Sequence, residues 1–491
     1  MTGIYKHGTY GEYAESVAHI NTPSGTVAVY VGTAPINLVR GYKAFVNSPV
    51  RLTDFGTVTK TMGYSANWSS FTLCEAFKAH FDNPAGNVGP IVAINVLNPD
   101  VHKKAEPTTK ALAFVNGKAS FESDTIILDT LVLSELVEGE DFEVSYNFEK
   151  GLVIINSIGE AIAGSVNATY SEIDASAVDV DDIIGEVTDG GIYSGLGCLE
   201  LVYPELGIVP NIVLAPSWSE KPEVYKAMLK AASKINNHWD AIVYADIPLS
   251  ANGSKVDTIP LAIKWKEDNA YNDAFSKVFF PQNVDSDGKK YHSSVLGAWR
   301  TMLVDASHDG VPMESPSNKA IPVSAHYFGE GSTNRGFDQS RANELNANGI
   351  TTSVFWGGTW VLWGPHTAAY KHGSNVDNRD IFDNSVRMMM YVSNSFQLEH
   401  ALTIDAPMTR AMADTIRNRE QEKADALAAI GALIGTPVVE FRQFENTSAY
   451  LVEGNFTWYT KGTPTPPFKS GTLRVAYTSE GFTSYFEGGA E

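Results

Sequence analysis

The chain has 491 residues, 43% of them hydrophobic, with 57 acidic against 36 basic side chains and a formal net charge of −21. That length and apolar content suit roughly three domains with buried cores, and the acidity excludes a general nucleic-acid binder, because phosphate contacts need clustered Lys and Arg. The longest apolar run, Leu427 to Gly435, is far shorter than the roughly 20 residues a spanning helix needs, so no membrane partner is expected.

The start, MTGIYKHGTYGEY, lacks the apolar stretch and cleavage site of a secretory signal, which implies folding and action in the cytoplasm of the producing cell. Residues 1–20 carry Tyr5, Tyr10 and Tyr13 in a polar, Gly-containing context, too polar for a core element and too aromatic for a simple linker. TVAVYVGTA (26–34) and GPIVAINVL (89–97) read as buried strands, with SSFTLCEAFKAHF (69–81) as an amphipathic helix between them. Cys74 and Cys198 sit far apart in apolar contexts and read as small buried hydrophobes.

Residues 101–190 hold 18 Asp and Glu against 5 Lys and Arg, so about a fifth of the chain carries −13 of the net charge. Short apolar runs there (TIILDTLVL, DFEVSYNF, GLVIINSI, SVNATYSEI) alternate with Gly- and Asp-bearing turns, the pattern of a small antiparallel β domain. Beyond it, IVPNIVLAPS and DAIVYADIP read as strands flanking a helix near 219–236, with Ser219 as N-cap. This βαβ alternation predicts an α/β fold with a largely parallel sheet under helices, interrupted by the acidic insertion.

Motifs of catalysis are sparse. FGEGSTNRG (328–336) departs from a dinucleotide fingerprint at Asn334. DSDGKKY (285–291) begins like a calcium loop, but Lys289 stands where an oxygen ligand is needed. His308 in DASHDG, with His366 and His372, reads as loop polarity rather than as a metal site. Neither GxSxG, HExxH nor GxxxxGK[ST] occurs, and the chain is expected to be no enzyme and to need no cofactor or metal.

From Ser315 onward the chain reads SPSNKAI, then NELNANGITT, then SVFWGGTWVLWGPHT: a Pro/Asn turn, a short polar helix ending in Asn-Gly, and two strands hinged at Gly357-Gly358. The helical pair in 385–435 follows, and then ENTSAYLVEGNFTWYTKG (445–462), SGTLRVAYTS (470–479) and GFTSYFEGG (481–489) as strand-like segments, with TPTPP (463–467) as an extended spacer. Along the second helix Met408, Met412, Ile416, Leu427, Ile430 and Ile434 share a stripe, Arg410 and Arg417 lie opposite, and Arg419 and Lys423 fall on the stripe itself.

The "PSN–I", "LN–GI" and "WG–T" order, with YPELGIVPNIVLAPSW upstream and the helical pair downstream, resembles the contractile tail sheath proteins of phages, tailocins and related injection systems. The resemblance covers 21–100 and 191–491. It implies a subtilisin-like α/β core (21–100 and 191–375), an inserted β domain (101–190) and an α+β C-terminal domain (376–491) facing an inner tube. It further implies N- and C-terminal arms that reach into neighbouring subunits, with Tyr5, Tyr10, Tyr13, Leu473, Val475, Tyr477, Phe482 and Tyr485 as arm candidates. The basic residues Arg410, Arg417, Arg419 and Lys423 become tube-facing candidates.

The implied partners are copies of the chain itself in hexameric rings stacked helically, a tail tube protein, and baseplate and tail terminator proteins. The implied location is a virion or tailocin tail, assembled in a host bacterial cytoplasm. The competing expectations are another self-assembling shell or surface-layer protein and an α/β enzyme with an unmarked site.

Overall fold

Val29, Tyr30 and Val31, and Val92, Ala93 and Ile94, have no exposed surface, as expected of parallel strands covered on both faces. They belong to β1 (Ala28–Gly32) and β3 (Ile91–Asn95), which flank β2 (Pro49–Leu52) in the chain. The computed structural model describes residues 25–487. After β3 come six strands of the acidic region: β4 (Thr108–Phe114), β5 (Lys118–Glu122), β6 (Val132–Leu133), β7 (Phe142–Asn147), β8 (Leu152–Ser157) and β9 (Gly164–Tyr170). Then β10 (Ile212–Leu214), β11 (Ile242–Asp246), β12 (Ser276–Phe279), β13 (Ile350–Trp356) and β14 (Thr359–Trp363) complete an eight-stranded sheet.

Its order is β14-β13-β12-β11-β10-β1-β3-β2. Six strands, β13 through β3, run parallel, and β2 and β14 pair antiparallel at the two edges. The molecule is thus a mixed α/β, multidomain protein around one large mixed sheet. Its faces are covered by helices including α1 (Leu73–Phe81), α2 (Pro222–Ala232) and α3 (Ser293–Ala306). Cys74 and Cys198 are buried and unbridged, and burial raises both thiols to about 12, so they pack as apolar groups. The N-cap of α2 is Lys221, followed by Pro222 at the first turn. The expected cap, Ser219, is instead buried and accepts from the Asp246 backbone N–H at 3.2 Å.

Strands β4–β9 form two three-stranded antiparallel sheets, β4-β9-β6 and β5-β8-β7, closed over Leu112, Phe121, Phe142, Val153 and Ile155. In TIILDTLVL only Val132–Leu133 is strand, because a 3-10 turn occupies Leu128–Thr130. This unit is firmly seated. Leu38 of the main body joins its apolar cluster, Asn37 donates to the carbonyls of Asp124 and Ile126 at 3.0 and 2.8 Å, and Arg40 pairs with Asp129 and Glu138.

The chain then continues through α4 (Gln339–Asn346), α5 (Asp383–His400) and α6 (Arg410–Ala429), and a two-stranded antiparallel sheet of β15 (Leu433–Glu440) and β16 (Tyr459–Pro464). A final helix, α7, spans Glu480–Glu487.

Candidate assembly surfaces

The motif that runs from Ser315 to Gly364 folds into one knot. Asp338 caps α4 by accepting from the Arg341 N–H. At the other end of α4, Asn346 donates to the carbonyls of Ile350 and Trp363, so one amide ties the helix to both β13 and β14. Gly349 has φ +64, and a Cβ there would lie within 2.7 Å of the Tyr370 and Thr367 carbonyl oxygens. Only glycine fits. Gly357 and Gly358, both at positive φ, make the two-residue loop between Trp356 and Thr359, as a type I′ hairpin turn requires. Asn318 N–H donates to Leu362 O at 2.6 Å and Gly364 N–H to Ser317 Oγ at 3.0 Å, which covers the outer edge of β14. Asp338, Asn346, Gly349, Gly357 and Gly358 therefore set the geometry of the knot.

Between the knot and the C-terminal segment lies a cleft of about 1000 Å³, bordered by Asn318, Asn343, Trp363, Tyr370 and Phe468. The segment enters along this cleft from Thr465, whose N–H donates to Ala432 O at 3.1 Å and whose Oγ1 donates to Gly431 O at 2.6 Å. Phe468, Lys469 and Ser470 still line the cleft, and beyond them the segment leaves the body. Leu473, Val475 and Tyr477 are 84–87% exposed and alternate as on one face of a strand, yet residues 470–478 pair with no strand among the described residues.

Three strand expectations are corrected: residues 470–478 form no strand, for want of a pairing neighbour within the subunit. Residues 480–487 are helical, because Phe482 and Tyr485 stand three apart, a helical rather than an alternating spacing, with Glu480 in the first turn. Within 445–462, residues Ser448–Val452 form a helix capped by Thr447, and only β16 is strand. Leu473, Val475, Tyr477, Phe482 and Tyr485 are all exposed. The remaining arm candidates, Tyr5, Tyr10 and Tyr13, lie outside the described residues.

Strands β15 and β16 form a sheet of only two strands, which is marginal in water unless it packs against something or gains a strand. Helix α6 packs on β15. The ladder slips between Ile434 and Val438, and Gln421 of α6 repairs the bulge: its Oε1 accepts from Val439 N–H at 2.8 Å and its Nε2 donates to Pro437 O at 3.0 Å. Neither outer edge has a ladder partner among the described residues.

The buried stripe of α6 is rotated from the expected one and shares Ile416 with it. Ala413, Ile416, Glu420 and Ala424 face inward, Ile430 is exposed, and Ile434 belongs to β15. The charges in the stripe are accommodated by pairing. Glu420 is buried and meets His400 at 2.7 Å, and Lys423 bridges Glu420 and Glu399 of α5 at 3.1 and 3.0 Å. Arg410 and Arg417 form only loose ion pairs with Asp414, at 3.9 and 3.8 Å, Arg417 also donates to Asn418 Oδ1 at 2.9 Å, and Arg419 is exposed with no ion pair among the described residues.

Titratable clusters in the body serve packing. At the end of β11, Asp246 accepts from the Ser294 N–H at 3.0 Å and from the Ser294 hydroxyl. His292 lies between Glu75 at 2.8 Å and Glu220 at 3.4 Å. Burial works against the charged ring, yet the two glutamates hold it well above its usual pKa. Asp305 of DASHDG, expected as loop polarity, is fully buried at the end of α3 and pairs with Arg387. His308 pairs with Glu314, and His366 stacks on Tyr370 with centroids 3.6 Å apart. Among the described residues no group of three or more His, Cys, Asp or Glu is arranged to hold a metal ion, and no helix is long and apolar enough to cross a membrane.

No family model matches the chain. It is 25% identical, over 98% of its own length and 98% of the relative's, to the tail sheath protein of Burkholderia phage BcepMu. Solved structures with a similar fold include a chain of the anti-feeding prophage baseplate (TM-score 0.55, 14% identity, 96% of this chain and 98% of that one). Another is the sheath complex of an extracellular contractile injection system in its contracted state (TM-score 0.54, 12% identity, 97% of this chain and 100% of that one).

Proposed function

We infer that this chain is a contractile tail sheath protein. The observation that carries this is end-to-end similarity to a tail sheath protein over 98% of both chains, together with a fold shared with an injection-system sheath and with a chain of the anti-feeding prophage baseplate over nearly the whole length. It is a structural subunit of a contractile sheath; the reading as another shell or surface-layer protein is not favoured.

Copies of the chain associate with one another and with a baseplate. More finely, hexameric rings stack helically around a tail tube, between a baseplate and a terminator, in the tail of a virion or tailocin assembled in a bacterial cytoplasm. The mixed sheet and its helices correspond to the subtilisin-like core, and the acidic β unit decorates the outer surface. The joint between subunits is strand exchange. The segment 470–478 offers an unpaired alternating strand, β15 and β16 offer a two-stranded sheet with open edges, and main-chain hydrogen bonds make the joint strong whatever the side chains.

Arg410, Arg417 and Arg419 face the tube. Their weak internal pairing leaves them free for exposed contacts worth roughly 0–1 kcal/mol each, which suits release during contraction. The extended lattice is held by the baseplate and tube. Once one ring is freed, subunits rotate nearly as rigid bodies while the arm linkers flex, and new lateral surface is buried. Energy is stored in assembly, so the work needs no nucleotide and the subunit is no enzyme.

The test is negative-stain microscopy of the purified chain at high concentration, alone and with its cognate tube. Hollow, helically striated tubes are expected. A monomer that persists even with the tube present, or ATP hydrolysis that follows the chain through purification, contradicts the reading.

A further inference from the structure

Thr26, at the start of the described residues, and Thr465, before the C-terminal segment, are both tied to the start of α5. Asp383 there is fully buried and pairs at 2.7 Å with Lys277 of β12, which also donates to Gly364 O at 2.8 Å. This fixes the turn to the middle of the large sheet. Next to it, Asn384, also buried, donates at 3.0 Å to Met313 O and at 3.0 Å to Thr465 O, and Thr465 is where the C-terminal segment begins. Three residues on, Arg387 pairs with Asp305, whose Oδ2 also accepts from Thr26 Oγ1 at 2.6 Å. Thr26 stands two residues before β1. The joint is tight: a Cβ on Gly25 would stand 2.9 Å from the Gly310 Cα, and Gly310 N–H itself donates to Asp305 O at 2.8 Å.

We propose that Asp383, Asn384 and Arg387 are positioning residues that anchor the roots of both terminal segments to one helical turn. The proposal rests on the reading of those segments as intersubunit arms. With both roots on one turn, their separation stays fixed as the body rotates, and a pull on either arm passes through α5 into β12. Deformation of the lattice is then confined to the linkers beyond Gly25 and Thr465. The charges in the turn are buried, where an ion pair is a poor source of net stability but a strong determinant of geometry.

Amide hydrogen exchange on the unassembled full-length chain tests this without depending on polymerisation. In the paired variant Arg387→Met with Asp305→Asn, which avoids a lone buried charge, exchange is expected to rise about tenfold at both Val27 and Thr465, whose amides bond to Asn211 Oδ1 and Ala432 O. Val243 and Val278 in the sheet remain protected. Arg387→Lys alone, which keeps a cation at Asp305, restores much of the protection, and Asn384→Ala accelerates Thr465 while sparing Val27.

If the paired variant moves only one of the two roots, or neither, the shared anchor is wrong. If it loosens the whole sheet equally, the turn is merely structural and the proposal again fails. Failure of the unaltered chain to polymerise with its tube would instead overturn the sheath reading and leave the exchange result standing.

Discussion

Asp246 sits at the carboxyl end of a central parallel strand, a place where many α/β proteins bind ligands, yet here it is closed in by Ser294, with His292 and Glu220 nearby. Burial raises its carboxyl from 3.8 to about 7, despite the opposing pull of His292. The native state therefore keeps a proton that the unfolded chain loses between about pH 4 and 7, and stability must fall as pH rises through that window. His292, also raised, acts in the same sense only above its unfolded value of 6.5. Asp246→Asn is expected to flatten the decline in unfolding midpoint between about pH 4 and 7. An equally steep decline in the variant would show that the titration belongs elsewhere.

At this scale the sequence was a poor guide. Asp305 looked like one polar residue of a loop, but its partner Arg387 is 82 positions away. Lys423 looked like a fault in an apolar stripe, because Glu399 and His400 belong to the preceding helix. Charge pairing across elements leaves no periodic trace in a single chain.

Elements were legible in proportion to how local their causes are. The strands within 26–34 and 89–97 are continuous apolar runs because both faces are covered, and the β13–β14 hairpin declares itself through Gly357-Gly358. The tail was misread where aromatic content suggested strand but the spacing of Phe482 and Tyr485 made helix α7.

Gln421→Ala leaves the Val439 N–H and the Pro437 carbonyl of the bulge unpaired, and is expected to cost about 1–3 kcal/mol, seen as faster exchange in β15 with the large sheet unaffected; unchanged exchange would mean the bulge holds itself. Reversing Arg410 and Arg419 to Glu should weaken tube binding about tenfold at low salt, with less effect at high salt. Binding that ignores both charge and salt would remove α6 from the tube interface.

Across the whole molecule, the rigid parts and the unpaired parts are sharply divided. The large sheet is covered on both faces, and the acidic unit is bolted to it through Asn37, Arg40 and Leu38. Against this, residues 470–478 expose their apolar face to solvent, and β15 and β16 stop at two strands. Such a molecule is expected to keep its own stability when the tail is removed. Deletion of 470–491 should change the unfolding free energy by less than about 0.5 kcal/mol yet abolish polymerisation in a sedimentation assay. Polymers formed at wild-type concentration by the deleted chain would contradict strand exchange.

The most direct measurement is a cryo-electron microscopy reconstruction of the assembled polymer. Residues 470–478 of one subunit are expected to lie in the sheet of a neighbouring subunit's β15 and β16, as an added strand. Finding those residues folded back onto their own subunit, with the β15 and β16 edges still open, would contradict it.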